Sequence, residues 1–275
     1  MKRVAILHIC TGKYSTFWPG FYENFEKFFL PDCDKTYFVF TDDTTLSGGD
    51  NVRFIPQEAL AWPYASMLRF RMFLRVEEQL AAFDYAVFAN ANLRCTGPIL
   101  SGELLPDPAA GQTLLAVCHL PYYGKRPIFH PYERSPKSRA GIPYNCGTYY
   151  VAGGLNGGTA QAFLALCHEL DARTQEDLDR GVIARCHDES QLNRFVAEQP
   201  ARFRILTPEF CVPEETPIEG QRIVILQKKR TIDMDSIKGK APRQNWFQRK
   251  WEAFTLNWLP YLWYARDTLV HKTLG

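Results

Sequence analysis

Short apolar segments alternate with amphipathic ones through the first third of the chain, and this alternation limits the fold more than any other feature. Strand-like stretches occur at residues 4–10, 36–41, 52–55 and 85–89. Between them, residues 21–29 and 64–82 place apolar side chains at helical spacing, which predicts two amphipathic helices. Such alternation predicts an α/β fold built on a sheet, with ligands bound beyond the carboxyl ends of its strands.

Composition is that of a soluble globular protein and excludes several classes of function. The 275 residues are 46% hydrophobic and 23% charged, and no stretch approaches the roughly eighteen apolar residues of a membrane-spanning helix. A formal net charge of +2 gives no general nucleic-acid footprint, so no nucleic-acid partner is expected. The eight cysteines form no C-x-x-C pair, which predicts buried free thiols and a reducing compartment.

The strand predicted at residues 85–89 runs into Asn90-Ala91-Asn92, where sugar-nucleotide transferases commonly carry two aspartates separated by one residue. Those aspartates hold a divalent cation against a diphosphate. Hard cations prefer charged oxygen ligands, and two neutral amides provide a poor cage for Mg²⁺ or Mn²⁺. The segment therefore predicts a nucleotide site that works without a metal.

A glycine-rich block, Gly153-Gly154-Leu155-Asn156-Gly157-Gly158, precedes a helix predicted to start near Thr159. Glycines let the backbone approach a ligand closely, and a helix N-terminus suits an anionic or hydroxyl-rich group. A tight turn would explain the same pattern. The local sequence favours neither alternative.

His187-Asp188-Glu189-Ser190 begins another predicted helix, whose apolar stripe includes Leu192, Phe195 and Val196. Carboxylates in a first turn are favoured by the helix dipole, and stabilisation alone would account for Asp188 and Glu189. A functional alternative keeps Glu189 ionised so that it faces a developing positive charge. The local sequence favours the stabilising role.

Taken together, a series of ordered motifs resembles glycosyltransferase family 6, which contains the histo-blood-group A/B transferases and the α-1,3-galactosyltransferases. The resemblance runs in register from about residue 4 to about residue 230 and implies a GT-A fold, a Rossmann-like nucleotide-sugar domain with a mixed central sheet. It also implies a retaining transfer of galactose or N-acetylgalactosamine to a 3-hydroxyl. The motifs are Phe40-Thr41-Asp42, Trp62, Ser66-Met67, Arg69, Asp84-Tyr85, Asn90-Ala91-Asn92, His119, Tyr149-Tyr150, Gly153-Gly154, Gly157-Gly158 and His187-Asp188-Glu189-Ser190.

Vertebrate members carry Asp-Val-Asp at the position of Asn90-Ala91-Asn92, whereas bacterial members carry Asn-x-Asn and work without a metal. The resemblance is to this bacterial branch, and it implies no cofactor beyond the UDP-sugar donor. The chain begins at the catalytic core without the anchor and stem of the Golgi enzymes, so a bacterial cytoplasmic enzyme is expected. We expect one catalytic domain over residues 1–235, with a donor half to about residue 118 and an acceptor half from 119, and a tail over 236–275.

The resemblance assigns donor binding to residues spread along the chain. Tyr14 would pack on the uracil and ribose, Arg69 would reach the donor sugar, and the two asparagines would hydrogen-bond hydroxyl groups. Without the resemblance, Tyr14 would be a turn residue and Arg69 a solvated helix charge. A small residue at Gly154 leaves room for an acetamido group, which favours UDP-GalNAc as donor over the alternative, UDP-Gal. The donor set is Ile9, Thr11, Tyr14, Arg69, Asn90, Ala91, Asn92, Ala152, Gly153, Gly154, His187, Asp188, Lys228, Lys229 and Arg230.

Acceptor binding is expected from His119, Cys186, Glu189 and Glu214. The family histidine at the position of His119 contacts the acceptor galactose. Cys186 replaces a tryptophan that packs against the acceptor in relatives, so an acceptor site of different shape is expected. An acidic family residue aligns close to Glu214, and either this residue or its neighbour Glu215 could take that place.

Glu189 is the expected catalytic residue, as nucleophile in a double displacement or as a carboxylate that stabilises the oxocarbenium-like centre. A front-face reaction, in which the departing phosphate takes the acceptor proton, is equally compatible with the sequence. Without a metal, positive charge for the diphosphate is expected from Lys228-Lys229-Arg230, which follows a strand-like run. The alternatives are transfer from another nucleotide sugar and a non-catalytic glycan-binding protein on the same fold.

Beyond residue 240, aromatic and basic side chains are interleaved from Arg243 to Lys272. This mixture is typical of a helix at a membrane interface, and it predicts peripheral contact with the cytoplasmic face of the inner membrane, where lipid-linked glycan acceptors are assembled. A helix docked on the catalytic domain is the alternative, and Pro260 should kink any continuous helix. An oligosaccharide, often a 2-fucosylated galactoside in this family, is the other expected acceptor.

Overall fold

A mixed sheet of seven strands forms the centre of the protein. The computed structural model describes residues 1–232 and 259–274. Seven strands form the central sheet, and three form a small second sheet. In chain order the strands are β1 (Arg3–Ile9), β2 (Asp34–Thr41), β3 (Val52–Pro56), β4 (Tyr85–Ala89), β5 (Leu93–Cys95), β6 (Leu114–Cys118), β7 (Val151–Thr159), β8 (Phe203–Leu206), β9 (Val212–Pro213) and β10 (Ile223–Ile225). The central order is β3-β2-β1-β4-β7-β6-β8, and the small sheet has the order β5-β10-β9.

Helices pack on both faces of the central sheet. In β1, Val4 and Ile6 join one buried cluster while Ala5 and Leu7 join the other, because successive side chains of a strand point to opposite faces. The helices of the described residues are α1 (Trp18–Phe28), α2 (Tyr64–Met67), α3 (Arg69–Leu74), α4 (Glu77–Leu80), α5 (Ser101–Leu104), α6 (Ala160–Asp179), α7 (Asp188–Glu198), α8 (Lys228–Thr231) and α9 (Leu259–Leu269). Helix α1 packs on the first face, and α3, α6 and α7 pack on the second.

The four strands predicted from the apolar segments are confirmed, each within two residues of its expected bounds. Strand β1 runs parallel to β2 and β4, and β2 runs parallel to β3. Their carboxyl ends therefore meet at one edge of the sheet, where Asn90 follows β4. Strand β7 runs antiparallel to β4 and β6. The predicted α/β fold with a mixed central sheet is confirmed.

The single long helix predicted over residues 64–82 is wrong, because this segment forms α2, α3 and α4. The backbone leaves helical geometry at Leu68 and Val76, where ψ is 14° and 23°. Met67 and Val76 are both buried. Nine residues are about two and a half turns of a straight helix, which would place these side chains on opposite sides. The breaks allow both to be buried.

The glycine-rich block lies in strand β7, so the turn alternative is wrong. The strand pairs with β4 on one side and β6 on the other. A Cβ atom on Gly157 would lie 2.4 Å from the Ala86 carbonyl oxygen, and one on Gly158 would lie 2.4 Å from that of Thr113. These two glycines therefore allow close approach of neighbouring backbones. Helix α6 begins directly after the strand.

The described part of the predicted tail, helix α9, docks on the domain. Asp267 is 1% exposed, and its Oδ2 atom accepts a hydrogen bond of 2.9 Å from the Tyr144 amide. The ring of Trp263 lies 5.1 Å from that of Tyr144. Pro260 is the second residue of the described helix. The rest of the predicted tail, residues 236–258 and 275, lies outside the described residues, as do residues 233–235.

Over residues 1–232 and 259–274, no helix has the length and apolar character that crossing a bilayer requires. All eight cysteines are free thiols, and six of them are buried.

Candidate active site

A cleft of about 210 Å³ opens at the carboxyl ends of β1 and β4. It brings together six of the predicted donor residues, which lie far apart in the sequence. These are Ile9, Thr11, Tyr14, Arg69, Asn90 and Lys228. Trp62, Ser66 and Phe88 complete much of the wall. The sheet edge expected to bind a ligand thus carries an open cleft of mixed polar and apolar character.

Asn90 and Asn92 form a hydrogen-bonded pair at the end of β4. The Asn90 Nδ2 atom donates to Asn92 Oδ1 at 3.1 Å, and Asn92 Nδ2 donates to the Leu226 carbonyl at 2.7 Å. The intervening Ala91 is buried. Asn92 therefore ties the strand end to the segment that leads into α8, in addition to any contact with a ligand.

The donor groups of this region do not fit a divalent cation. Hard cations take charged oxygen ligands, whereas the amides of Asn90 and Asn92 are neutral, and the Asn92 Oδ1 atom already accepts a hydrogen bond from Asn90. Within the described ranges, no three His, Cys, Asp or Glu side chains are grouped as a metal site.

Arg69 connects the cleft to the first turn of α7. Its Nη1 atom donates to the Gly153 carbonyl at 2.9 Å and lies 3.2 Å from Asp188 Oδ2. The guanidinium also lies over the ring of Phe88, 4.6 Å from its centre. Burial raises the pKa of Asp188 to about 6, and the positive charge of Arg69 opposes that shift. Asp188 is thus a buried carboxylate with one arginine partner.

Glu189 lies beside Asp188 with both carboxylate oxygens bound. The Tyr150 hydroxyl donates to Oε1 at 2.5 Å, and the Gly153 amide donates to Oε2 at 2.7 Å. Burial raises the pKa of Glu189, and these two donors act in the opposite direction because they stabilise the ionised form. The carboxylate is therefore fixed in one orientation.

His187 precedes this acidic pair in an unusual backbone conformation. Its φ is 54°, which a non-glycine residue rarely adopts. The imidazole packs edge-on against the ring of Trp62, with 4.7 Å between the ring centres. This contact joins the start of α7 to the wall of the cleft.

Gly154 and Ala152 belong to the strand that borders both groups. The Gly154 carbonyl accepts a hydrogen bond of 2.9 Å from the Asn90 amide. A Cβ atom on Gly154 would lie 3.6 Å from Asn90 Cβ, an ordinary contact distance. Ala152 is buried. Small side chains here leave space next to Asn90.

The predicted acceptor residues do not all meet in one place. His119 packs against Tyr122 and Tyr150, with ring centres 5.6 and 6.0 Å apart, and burial lowers the pKa of its imidazole. Cys186, whose thiol pKa is raised by burial, lies close to Tyr150 and Glu189. His119, Cys186 and Glu189 thus surround Tyr150.

Glu214, which directly follows β9, instead contacts the basic segment that follows β10. Its Oε2 atom accepts from the Gln227 amide at 2.9 Å, and Oε1 accepts from Arg230 Nη1 at 3.0 Å. Lys228 Nζ lies 5.1 Å from the centre of the Tyr14 ring, inside the cleft. Lys229 and Arg230 are exposed. Of the basic triplet, only Lys228 lines the cleft.

Two residues that the sequence did not assign to the site hold its carboxylate in place. Tyr150 donates to Glu189, as described above. Asn193 is fully buried; its Oδ1 accepts from the Val151 amide at 2.9 Å, and its Nδ2 donates to the Val151 and Glu189 carbonyls, each at 2.8 Å. Tyr150 belongs to the Tyr149-Tyr150 motif, and Asn193 follows the His187-Asp188-Glu189-Ser190 motif by three residues, so these motifs were the available signal.

The mixed central sheet, with a cleft at its edge next to an oriented buried carboxylate, is consistent with a glycosyltransferase of GT-A-like fold. Residues 3–233 match the family model described as Glycosyltransferase family 6. The chain belongs to glycosyltransferase family 6, as the motifs predicted.

Similar proteins include a bacterial enzyme and several mammalian ones. The O-antigen biosynthesis glycosyltransferase WbnI of Escherichia coli is 34% identical over 194 residues, which cover 70% of this chain and 81% of that protein. Histo-blood group ABO system transferase 1 of Rattus norvegicus is 29% identical, with 72% of this chain and 57% of that protein covered. Globoside alpha-1,3-N-acetylgalactosaminyltransferase 1 of Canis lupus familiaris is 28% identical, with 78% and 62% covered. The chain thus spans less than two thirds of these two mammalian relatives.

Proposed function

We propose that the protein transfers N-acetylgalactosamine from UDP-GalNAc to the 3-hydroxyl of a galactoside, with retention of configuration and without a metal ion. The observation that carries this proposal is the arrangement of β7. Its Gly153 amide holds the Glu189 carboxylate, and the next residue, Gly154, leaves space beside Asn90. One strand therefore brings the catalytic carboxylate and the donor pocket together.

The charges of the reaction match the charges of the site. The bond between C1 of the sugar and the phosphate oxygen breaks, and its electron pair goes to UDP. Glu189 then faces the positive charge that develops at C1. The acceptor 3-hydroxyl forms the new bond to C1 and gives its proton to the departing phosphate. This front-face route suits a carboxylate whose two oxygens are both hydrogen-bonded, since those bonds reduce its strength as a nucleophile.

Lys228 is the proposed source of positive charge at the diphosphate. It lines the cleft and lies over Tyr14, the proposed partner of the uracil and ribose. A fixed cation close to a developing phosphate charge stabilises the leaving group without a metal. We place Lys229 and Arg230 in a supporting role, because Arg230 pairs with Glu214 and holds the segment.

Small side chains at Ala152 and Gly154 favour UDP-GalNAc over UDP-Gal. The acetamido group is the larger C2 substituent, and a glycine at position 154 adds no side chain beside Asn90, which lines the cleft. Discrimination by such a contact is typically about 1–3 kcal/mol, so UDP-Gal is expected to be a slower donor rather than an inert one.

The proposed acceptor is a galactoside of an oligosaccharide or of a lipid-linked glycan, bound near His119, Tyr150 and Cys186. Contact with a membrane is proposed for α9. Leu262 and Leu269 on this helix are 66% and 79% exposed, although the opposite side docks on the domain.

Release of UDP from UDP-GalNAc, UDP-Gal and UDP-Glc in the presence of a 2-fucosylated galactoside tests the proposal. Each reaction is run with EDTA and with added Mn²⁺. We expect the fastest release from UDP-GalNAc, at equal rates under both conditions. Activity that disappears in EDTA and returns with Mn²⁺ would overturn the metal-free mechanism, and a preference for UDP-Gal would overturn the donor assignment.

A further inference from the structure

A second cleft, of about 580 Å³, shares no lining residue with the nucleotide cleft. It lies between the loop at residues 134–144, helices α6 and α7, and the docked helix α9. Its charged lining residues are Arg134, Lys137, Arg139, Arg173, Arg180, Arg194, Arg266, Lys272, Glu198 and Asp267. Eight cations thus surround this cleft with two carboxylates, in a chain whose formal net charge is only +2.

The neighbouring carboxylates are too few to balance these cations. Glu198 pairs with Arg173 and Arg194, and Asp267 pairs with Arg266 and Lys272. Glu176, which does not line the cleft, pairs with the lining residues Arg139 and Arg180. Glu169 also pairs with Arg173, so four carboxylates serve six of the eight cations. Like charges held around one cleft raise its affinity for an anion.

Arg173, a lining residue of this cleft, provides an independent observation. It is 8% exposed, and its Nε and Nη2 atoms donate to Glu169 at 2.7 Å and Glu198 at 2.8 Å. Its third nitrogen, Nη1, is buried and has no hydrogen-bond partner among the described residues. A buried donor without a partner costs free energy, and an anion bound beside this guanidinium, which belongs to the lining of the cleft, would offset part of that cost.

We propose that this cleft binds a diphosphate group. Six of its eight cations are arginines, whose planar guanidinium groups bind phosphate oxygens in pairs. A diphosphate carries enough negative charge to engage several cations at once, whereas a single carboxylate does not. Trp263 and Tyr144 add an aromatic wall for the moiety attached to the phosphates. The site is separate from the proposed transfer reaction and does not depend on it.

Calorimetric titration of inorganic pyrophosphate into the full chain saturated with UDP tests the site, because UDP is the proposed occupant of the nucleotide cleft. We expect wild-type protein to bind pyrophosphate under these conditions. A variant that loses three exposed cations of the second cleft should bind it about tenfold more weakly. That variant is Lys137→Gln, Arg139→Gln and Arg180→Gln.

A matched control removes one lysine and two arginines that are also exposed and line neither cleft. It is Lys27→Gln, Arg53→Gln and Arg94→Gln, and it should bind pyrophosphate as wild type does. Absence of pyrophosphate binding in saturating UDP, or equal affinity in the two triple variants, would overturn the proposal.

Competition identifies the source of the diphosphate. Phosphatidylcholine vesicles that carry a polyprenyl diphosphate are added to the pyrophosphate complex, alongside vesicles with an equal charge of phosphatidylglycerol. Displacement by the diphosphate vesicles alone supports the site and assigns it to a lipid-linked diphosphate. Displacement by neither supports the site with a soluble diphosphate. Equal displacement by both would overturn selectivity for a diphosphate.

Discussion

Glu189 is the residue on which the proposed chemistry depends most directly. We expect Glu189→Gln to lower kcat by about 10²–10³-fold, because glutamine keeps the shape but removes the negative charge that faces C1. UDP affinity should stay near the wild-type value, since Glu189 is not part of the nucleotide cleft lining. Steady-state kinetics and a UDP titration measure the two effects. A variant with wild-type turnover would remove Glu189 from the chemistry.

Individual site residues were predicted where a motif carried them, and their partners were not. The donor set and Glu189 followed from residues matched in register. Tyr150 and Asn193 orient Glu189 through bonds of 2.5 and 2.8 Å between residues that the fold brings together. Glu214 binds Gln227 and Arg230, an arrangement that no local pattern indicates. Such side-chain partnerships depend on tertiary packing, which spacing along the chain does not encode.

Strand β7 offers a comparison between two glycines within one element. Gly157→Ala should destabilise the protein by about 3 kcal/mol, because its Cβ atom would lie 2.4 Å from the Ala86 carbonyl oxygen in the neighbouring strand. Gly154→Ala is the matched control, since its Cβ atom would make only a 3.6 Å contact with Asn90. Urea denaturation of both variants measures the difference. Equal denaturation midpoints would show that the backbone of β7 shifts to accommodate a Cβ atom at position 157.

At the level of elements, the sequence predicts strands β1 to β4 better than it predicts β7 or the helical segment at residues 64–82. The buried parallel strands β1, β2 and β4 have apolar runs that mark them, and the more exposed β3 has Val52, Phe54 and Ile55, so all four were found. The glycines of β7 also fit a tight turn, because glycine lacks the side chain that marks a strand. Their role depends on the close approach of neighbouring backbones, which only the folded structure shows. The predicted helix over 64–82 failed for a related reason. Its breaks serve the burial of both Met67 and Val76, which periodicity within the segment cannot show.

For the molecule as a whole, the buried acid pair couples activity and stability to pH in opposite directions. The folded-state pKa of Asp188 is about 6, above its ordinary value of 3.8. Its contribution to stability is therefore present below the ordinary value and is lost as pH rises through about 6. Activity should instead fall as pH drops through about 6, because protonated Asp188 no longer pairs with Arg69.

Profiles of kcat/KM and of urea midpoints against pH measure both effects on the same protein. In Asp188→Asn, kcat/KM should stay near the low value of the wild-type acidic limb at every pH, because asparagine carries no charge to pair with Arg69. The part of the stability change that Asp188 causes should disappear. A limb that stays at the same pH in this variant would assign the titration to another group.

The docked helix α9 leads to a prediction about where the whole molecule resides. One side of this helix is fixed to the domain through Asp267 and Trp263, while Leu262 and Leu269, seven residues apart, lie exposed on the same side. An exposed apolar side flanked by basic residues suits the interface of an anionic bilayer. We expect the protein to sediment with vesicles that contain phosphatidylglycerol. Leu262→Gln with Leu269→Gln should weaken this binding about tenfold, because two apolar side chains are lost from the interface.

The matched control places the same substitutions at exposed apolar residues elsewhere, Leu100→Gln with Ile183→Gln, which are 48% and 50% exposed in the wild-type protein. This control should bind vesicles as wild type does. Both double variants should retain wild-type UDP release with a soluble acceptor, since none of the four residues lines the nucleotide cleft. Wild-type protein that stays in the supernatant, or an equal loss of binding in both double variants, would show that α9 serves only to pack on the domain.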